Sequence, residues 1–113
     1  MKDFLLVFRN DYSKQPKASP EEMQAIMKQW MDWIGGIAAQ NKLGSPGNPL
    51  AAAGKVVRAN NVITDGPYTE IKEVLGGYTI VKADTLDEAA GLAKGCPILS
   101  FGGNVEVREI NAM

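Results

Sequence analysis

The sequence contains no histidine. That absence removes the usual general base near neutral pH and the commonest metal ligand. It excludes Ser-His-Asp and Cys-His catalysis, and any haem or zinc held by imidazole. Cysteine is limited to Cys96, so no internal disulfide can form, which suits a reducing compartment. Long apolar runs are missing too. The opening apolar stretch, residues 4–8, is flanked by Asp3 and Arg9 and is too short for a signal sequence or a membrane span. It reads as a strand, and the cytoplasm is the expected location. Nor is there an excess of one charge: 12 basic and 13 acidic residues give a net charge of −1, with no basic arm or acidic tail. This balance argues against direct nucleic-acid binding.

What is present fits one domain over residues 1–113, without repeats, low complexity or an interdomain linker. An apolar fraction of 45% and a charged fraction of 22% are ordinary for a globular chain. Residues 3–9 alternate as a strand whose two faces are both apolar, Phe4, Leu6 and Phe8 against Leu5 and Val7. Ser19-Pro20-Glu21-Glu22 is a helix start with cap, first-turn proline and capping-box glutamate. Met23, Ile26, Met27, Trp30, Ile34 and Ile37 follow at helical spacing, which predicts a helix to about Asn41 or Lys42, stopped by Gly44. Gly35-Gly36 inside it suggests close packing or a bend, because each glycine costs about 1 kcal/mol against alanine. Residues 50–58 form a weaker strand, Asn60-Asn61 a hairpin turn and residues 62–64 a returning strand. Residues 74–82 are β-branched and aromatic, as a strand requires. Thr85-Leu86-Asp87-Glu88 is a second capping box, opening a short helix over 86–94 that closes at Gly95. Residues 104–110 alternate as a final strand. The order β-α-β-(β)-β-α-β predicts a ferredoxin-like α+β sandwich, an antiparallel sheet with both helices on one face.

That architecture leaves one sheet face open although the first strand is apolar on both sides. Exposure forgoes about 1.5–3 kcal/mol per large apolar side chain. The expected remedy is a homodimer through the open sheet face, two copies stacked about a two-fold axis. The alternative is that residues 43–55 or 96–103 of the same chain cover it.

Residues 63–81, ITDGPYTEIKEVLGGYTIV, concentrate charge and backbone punctuation before a central strand. Asp65 can serve a turn, accepting from backbone amides two residues on, or act as a cleft carboxylate, base or ligand anchor. Gly66 and Pro67 set the backbone in either case. If residues 70–78 are extended, Glu70, Lys72 and Tyr78 share one face, a carboxylate, an ammonium and a phenol suited to a small polar or anionic organic molecule. The bland reading is a solvated ion pair worth under about 1 kcal/mol. Glu73 points the other way. Gly76-Gly77 marks a bulge or a close approach, by a ligand or by the long helix. Trp30, Trp33, Met23, Met27 and Met31 read as core or interface, and Cys96 as a small buried hydrophobe. Gly44, Gly47, Gly102 and Gly103 read as turn glycines. No phosphate loop, metal-ligand spacing or cofactor motif is legible.

Asp65-Gly66-Pro67-Tyr68, Glu70, Lys72-Glu73 and Leu75-Gly76-Gly77-Tyr78 resemble the signature of YCII-related domain proteins, and more closely its DGPF subgroup. Tyrosine stands for phenylalanine at Tyr68 and Tyr78. The apolar opening strand, the Ser-Pro-Glu-Glu helix start and the Val105-Glu106-Val107-Arg108 ending resemble the family as well. The resemblance implies a bacterial protein, a dimeric α+β barrel and a ligand cleft beside the sheet lined by motif residues. It implies Asp65 and Glu70 as the candidate catalytic groups, with Tyr68, Lys72, Tyr78, Gly66 and Pro67 binding the ligand. DGPF relatives are associated with extracytoplasmic-function sigma factors, and distant relatives are lyase-like enzymes with a His-Asp pair, of which this chain has only an aspartate. Three roles follow as expectations: a homodimeric small-molecule-binding module, a lyase- or isomerase-like enzyme on a small organic acid, or an accessory protein of transcription.

Overall fold

The computed structural model describes residues 1–10, 19–51, 53–66 and 74–112. In chain order these form β1 (Lys2–Asn10), α1 (Pro20–Ala39), β2 (Leu43–Ser45), β3 (Gly54–Arg58), β4 (Val62–Gly66), β5 (Val74–Ala83), α2 (Leu86–Ala93) and β6 (Asn104–Glu109), with 3₁₀ turns at Ala59–Asn61 and Pro97–Phe101. The main sheet is antiparallel in the order β2-β5-β1-β6, while β3 and β4 pair only with each other. Without that hairpin the order is the ferredoxin-like α+β arrangement expected, with β1 and β5 central.

Local chemistry accounts for both helices. The Ser19 hydroxyl accepts from the Glu22 amide at 3.2 Å and Pro20 occupies the first turn of α1. The Thr85 hydroxyl accepts from the Glu88 amide at 3.1 Å and starts α2 in the same way. The core lies between the helices and one sheet face: Phe4, Leu6, Phe8 and Val81 meet Ile37, Ala89, Ala93 and Ile98, with Trp30 and Trp33 packed against them. Trp33 donates its indole N–H to the Leu92 carbonyl at 3.0 Å and so ties α1 to α2. Leu5 and Val7, which alternate with the buried set, are only half-buried.

Four details differ from the sequence reading. The long helix ends at Ala39, and Asn41 at φ 61° takes the left-handed terminal position expected of Gly44. Gly44 lies instead in β2, a three-residue edge strand that the sequence did not announce. The strand expected from residue 50 begins only at Gly54, and the hairpin it forms stands outside the main sheet. Of the two readings of Gly35-Gly36, close packing or a bend, the first does not hold, since a Cβ at either would meet nothing within 4 Å.

Candidate functional site

The middle of α1, the start of β5 and the loop after β2 border a half-open cavity of about 420 Å³. Phe8, Gly77 and Thr79 line it from the sheet, and Ile26, Trp30 and Ile34 from the inward side of α1. Met27 and Met31, one turn apart and 61% and 70% exposed, flank its mouth. Residues 46–49 and Tyr78 line the remaining side.

The loop wall is held by backbone chemistry. Gly47 adopts φ +67°, and a Cβ there would collide with the Tyr78 carbonyl, so the position requires glycine. The Gly47 amide donates to the Ser45 hydroxyl at 3.2 Å, the Tyr78 amide to the Asn48 carbonyl at 3.3 Å and the Leu50 amide to the Gly76 carbonyl at 2.8 Å. Thr79, buried in the sheet, donates its hydroxyl to the Pro46 carbonyl at 3.0 Å. The Gly76-Gly77 pair is explained at the same place. Gly76 is skipped where Phe8 pairs with Gly77 and Arg9 with Leu75, which makes it a bulge. A Cβ on Gly77 would lie 3.0 Å from the Asn48 carbonyl oxygen, so the close approach is by the 48–49 backbone.

Electrostatically the cavity is bland: among the described residues, none of those lining it carries an acidic or basic side chain. Asn10 lies at its sheet end, with Oδ1 buried and without a hydrogen-bond partner among the described residues. Such an atom is costly, at about 1–3 kcal/mol, and is uncommon outside sites.

The residues singled out from the sequence are distributed as follows. Asp65 sits on β4 with its side chain 94% exposed, accepting from Lys55 Nζ at 3.0 Å, and is not among the residues lining the cavity. Gly66 ends β4. Tyr78, with Gly76 and Gly77 of the same signature, lines the cavity. Pro67, Tyr68, Glu70 and Lys72 lie outside the described residues. Asp65 and Tyr78 are therefore not brought together. Cys96 is buried, and burial pushes its thiol up to about 11, which disfavours a nucleophilic thiolate. Among the described residues, no group of three or more acidic or cysteine side chains could hold a metal ion, and no helix is long and apolar enough to cross a membrane.

Sequence reasoning read Trp30, Met27 and Met31 as core or interface and placed Ile26 and Ile34 on the same helical stripe, with none of them singled out for a site. The available signal was the width of that stripe. With three methionines added, it is broader than one sheet face can cover, and a Pro-Gly-rich loop follows it. No curated protein matches the chain. The sequence model of one family, the YCII-related domain, matches residues 5–113, nearly the whole length. On that match, and with the ferredoxin-like α+β architecture beside it, the chain belongs to the YCII-related domain family.

Proposed function

We propose that this chain is a bacterial, cytoplasmic, homodimeric binding module of DGPF type, and that its ligand is a small, uncharged, largely apolar organic molecule seated in the cavity under α1. One observation carries the ligand class: about 420 Å³ of space bordered by Phe8, Trp30, Ile34 and the methionine pair, with no acidic or basic side chain among its described lining residues. Ligand pockets span about 300–1,000 Å³ and are mostly apolar. A charged ligand would have to shed water there without a counter-ion, which is costly. This reading departs from the small organic acid expected from Glu70 and Lys72, and from a ligand-binding phenol at Tyr78, whose side chain is turned by alternation to the opposite sheet face and which borders the cavity through its backbone. Binding is favoured over lyase or isomerase chemistry because Asp65, one of the two candidate bases, stands in solvent paired with Lys55; the other, Glu70, lies outside the described residues. The homodimer is supported by the half-buried Leu5 and Val7 on the face opposite the helices. Of the segments expected to cover that face, β2 and residues 46–49 extend the sheet edge, and Pro97–Phe101 packs with α1 and β6.

The test is a fluorescence titration with N-phenyl-1-naphthylamine, a neutral aromatic probe. Saturable enhancement is expected with wild type, and a loss of at least tenfold in affinity with Met31→Glu, which sets a charge at the mouth on an exposed position. No enhancement with wild type overturns the ligand class. Thermal stabilisation by benzoate and similar acids, abolished by Asp65→Asn, would return the site to the charged signature.

A further inference from the structure

The β3–β4 hairpin projects from the body. Of residues 54–65, only Val56 is half-buried and the rest are exposed, Val57, Val62 and Ile63 by 71%, 47% and 59%. The radius of gyration is 15.5 Å, against about 13 Å for a compact chain of this length. The two strands pack chiefly on each other. A free two-stranded hairpin is marginal in water, and this one carries apolar side chains on both faces. Val57 pairs with Ile63 on one face, and Val56 and Val62 lie on the other. Such a composition calls for a cover.

The size of the open sheet face says what that cover is. By alternation, β1, β5 and β6 turn about ten side chains outward, with Leu5, Val7, Tyr78 and Ile80 the apolar ones. A stable interface takes about 20–30 residues from each partner. The flat face alone is too small, and the hairpin face with Lys55, Val57, Ile63 and Asp65 enlarges it toward that size. The arm is also long enough. Five paired residues rise about 14 Å from first to last, which matches the roughly 14 Å across four strands at about 4.8 Å spacing. The Lys55–Asp65 ion pair links the two strands near the arm's base.

We propose that the hairpin is an exchanged arm: in the homodimer, each copy lays Val57 and Ile63 against the second copy, at the rim of its open sheet face. This inference rests on the homodimer reading above. Two-fold symmetry makes the two arms equivalent and closes the assembly.

The test is sedimentation equilibrium on wild type, on Val57→Lys with Ile63→Glu, and on Val7→Glu. The double variant sets opposite charges across one hairpin pair, so the arm keeps its own cross-strand attraction, and circular dichroism verifies the fold. The expected results are a wild-type dimer, a dissociation constant raised at least 30-fold by the double variant, and hydrogen-exchange protection of residues 56, 57, 63 and 64 that grows with protein concentration. A dimer that Val7→Glu weakens and the double variant does not overturns the arm and leaves the homodimer standing. A wild type that stays monomeric overturns both. Arm protection independent of concentration also overturns the exchange, since the cover would then come from the same chain.

Discussion

Trp33 joins two kinds of contact at one position. Its indole N–H reaches the Leu92 carbonyl, and its ring meets Phe8 and Trp30 edge-on at centroid distances of 5.9 and 5.7 Å. Trp33→Phe keeps a ring but leaves the Leu92 carbonyl without that partner, and should lower stability by about 1–3 kcal/mol in urea denaturation. Cys96 makes a pH-dependent contribution. Its folded thiol titrates at about 11, above the 9.0 of a free thiol, so between those values the folded chain holds a proton that the unfolded chain has lost. Stability conferred by the neutral buried thiol is complete below pH 9 and declines as pH rises toward 11. Cys96→Ala should flatten that decline relative to wild type in denaturation series at successive pH. At this scale the sequence was a good guide where one residue's neighbours decide its role, as with Cys96 before Pro97. It did not announce the ion pair of Asp65, whose partner Lys55 comes from across a hairpin.

Among the elements, α1 carries two exposed glycines with open space where a Cβ would stand. Gly35→Ala or Gly36→Ala should therefore raise stability by about 0.5–1 kcal/mol, read as a higher urea midpoint at unchanged slope. The loop at Gly47 behaves in the opposite sense. Gly47→Ala must move the 46–49 wall away from Tyr78, lowering stability by more than about 1 kcal/mol and weakening N-phenyl-1-naphthylamine binding together. The α2 start is tied to the residue before β2 by Lys42 Nζ and Glu88 at 2.8 Å. That bond, the Asp84 amide and the Lys42 charge hold the Glu88 carboxyl below its usual 4.5. The tie contributes above pH 4.5 and is lost as pH falls below it, so wild type and Glu88→Gln should converge in stability in acid. Both helices were legible because caps and periodicity are local. β2 was not, because three residues become a strand only through their pairing with β5, and the sequence pattern does not say which sheet a hairpin joins.

For the molecule as a whole, the ferredoxin-like order followed from element sequence and connection rules, whereas the cavity did not. Its walls come from α1, β5 and a loop that approach one another only after folding, and its defining property is the shape left between them. The charged signature drew attention to the hairpin and the strand entry, yet its described end, Gly76 to Tyr78, reaches the cavity through backbone contacts with residues 48–50. The proposed dimer and its proposed arms belong to this scale as well, and the sedimentation series decides them.

The chain's two tryptophans, Trp30 and Trp33, stand 5.7 Å apart with their planes 79° from parallel. Indole transitions that close couple, so the far-ultraviolet spectrum should carry an exciton couplet superposed on the peptide bands, and helix content taken from it without correction would be in error. Replacing either indole should abolish the couplet. Because Trp30 also lines the cavity, the same optical signature should shift when the space fills, giving the folded chain a label-free reporter of occupancy.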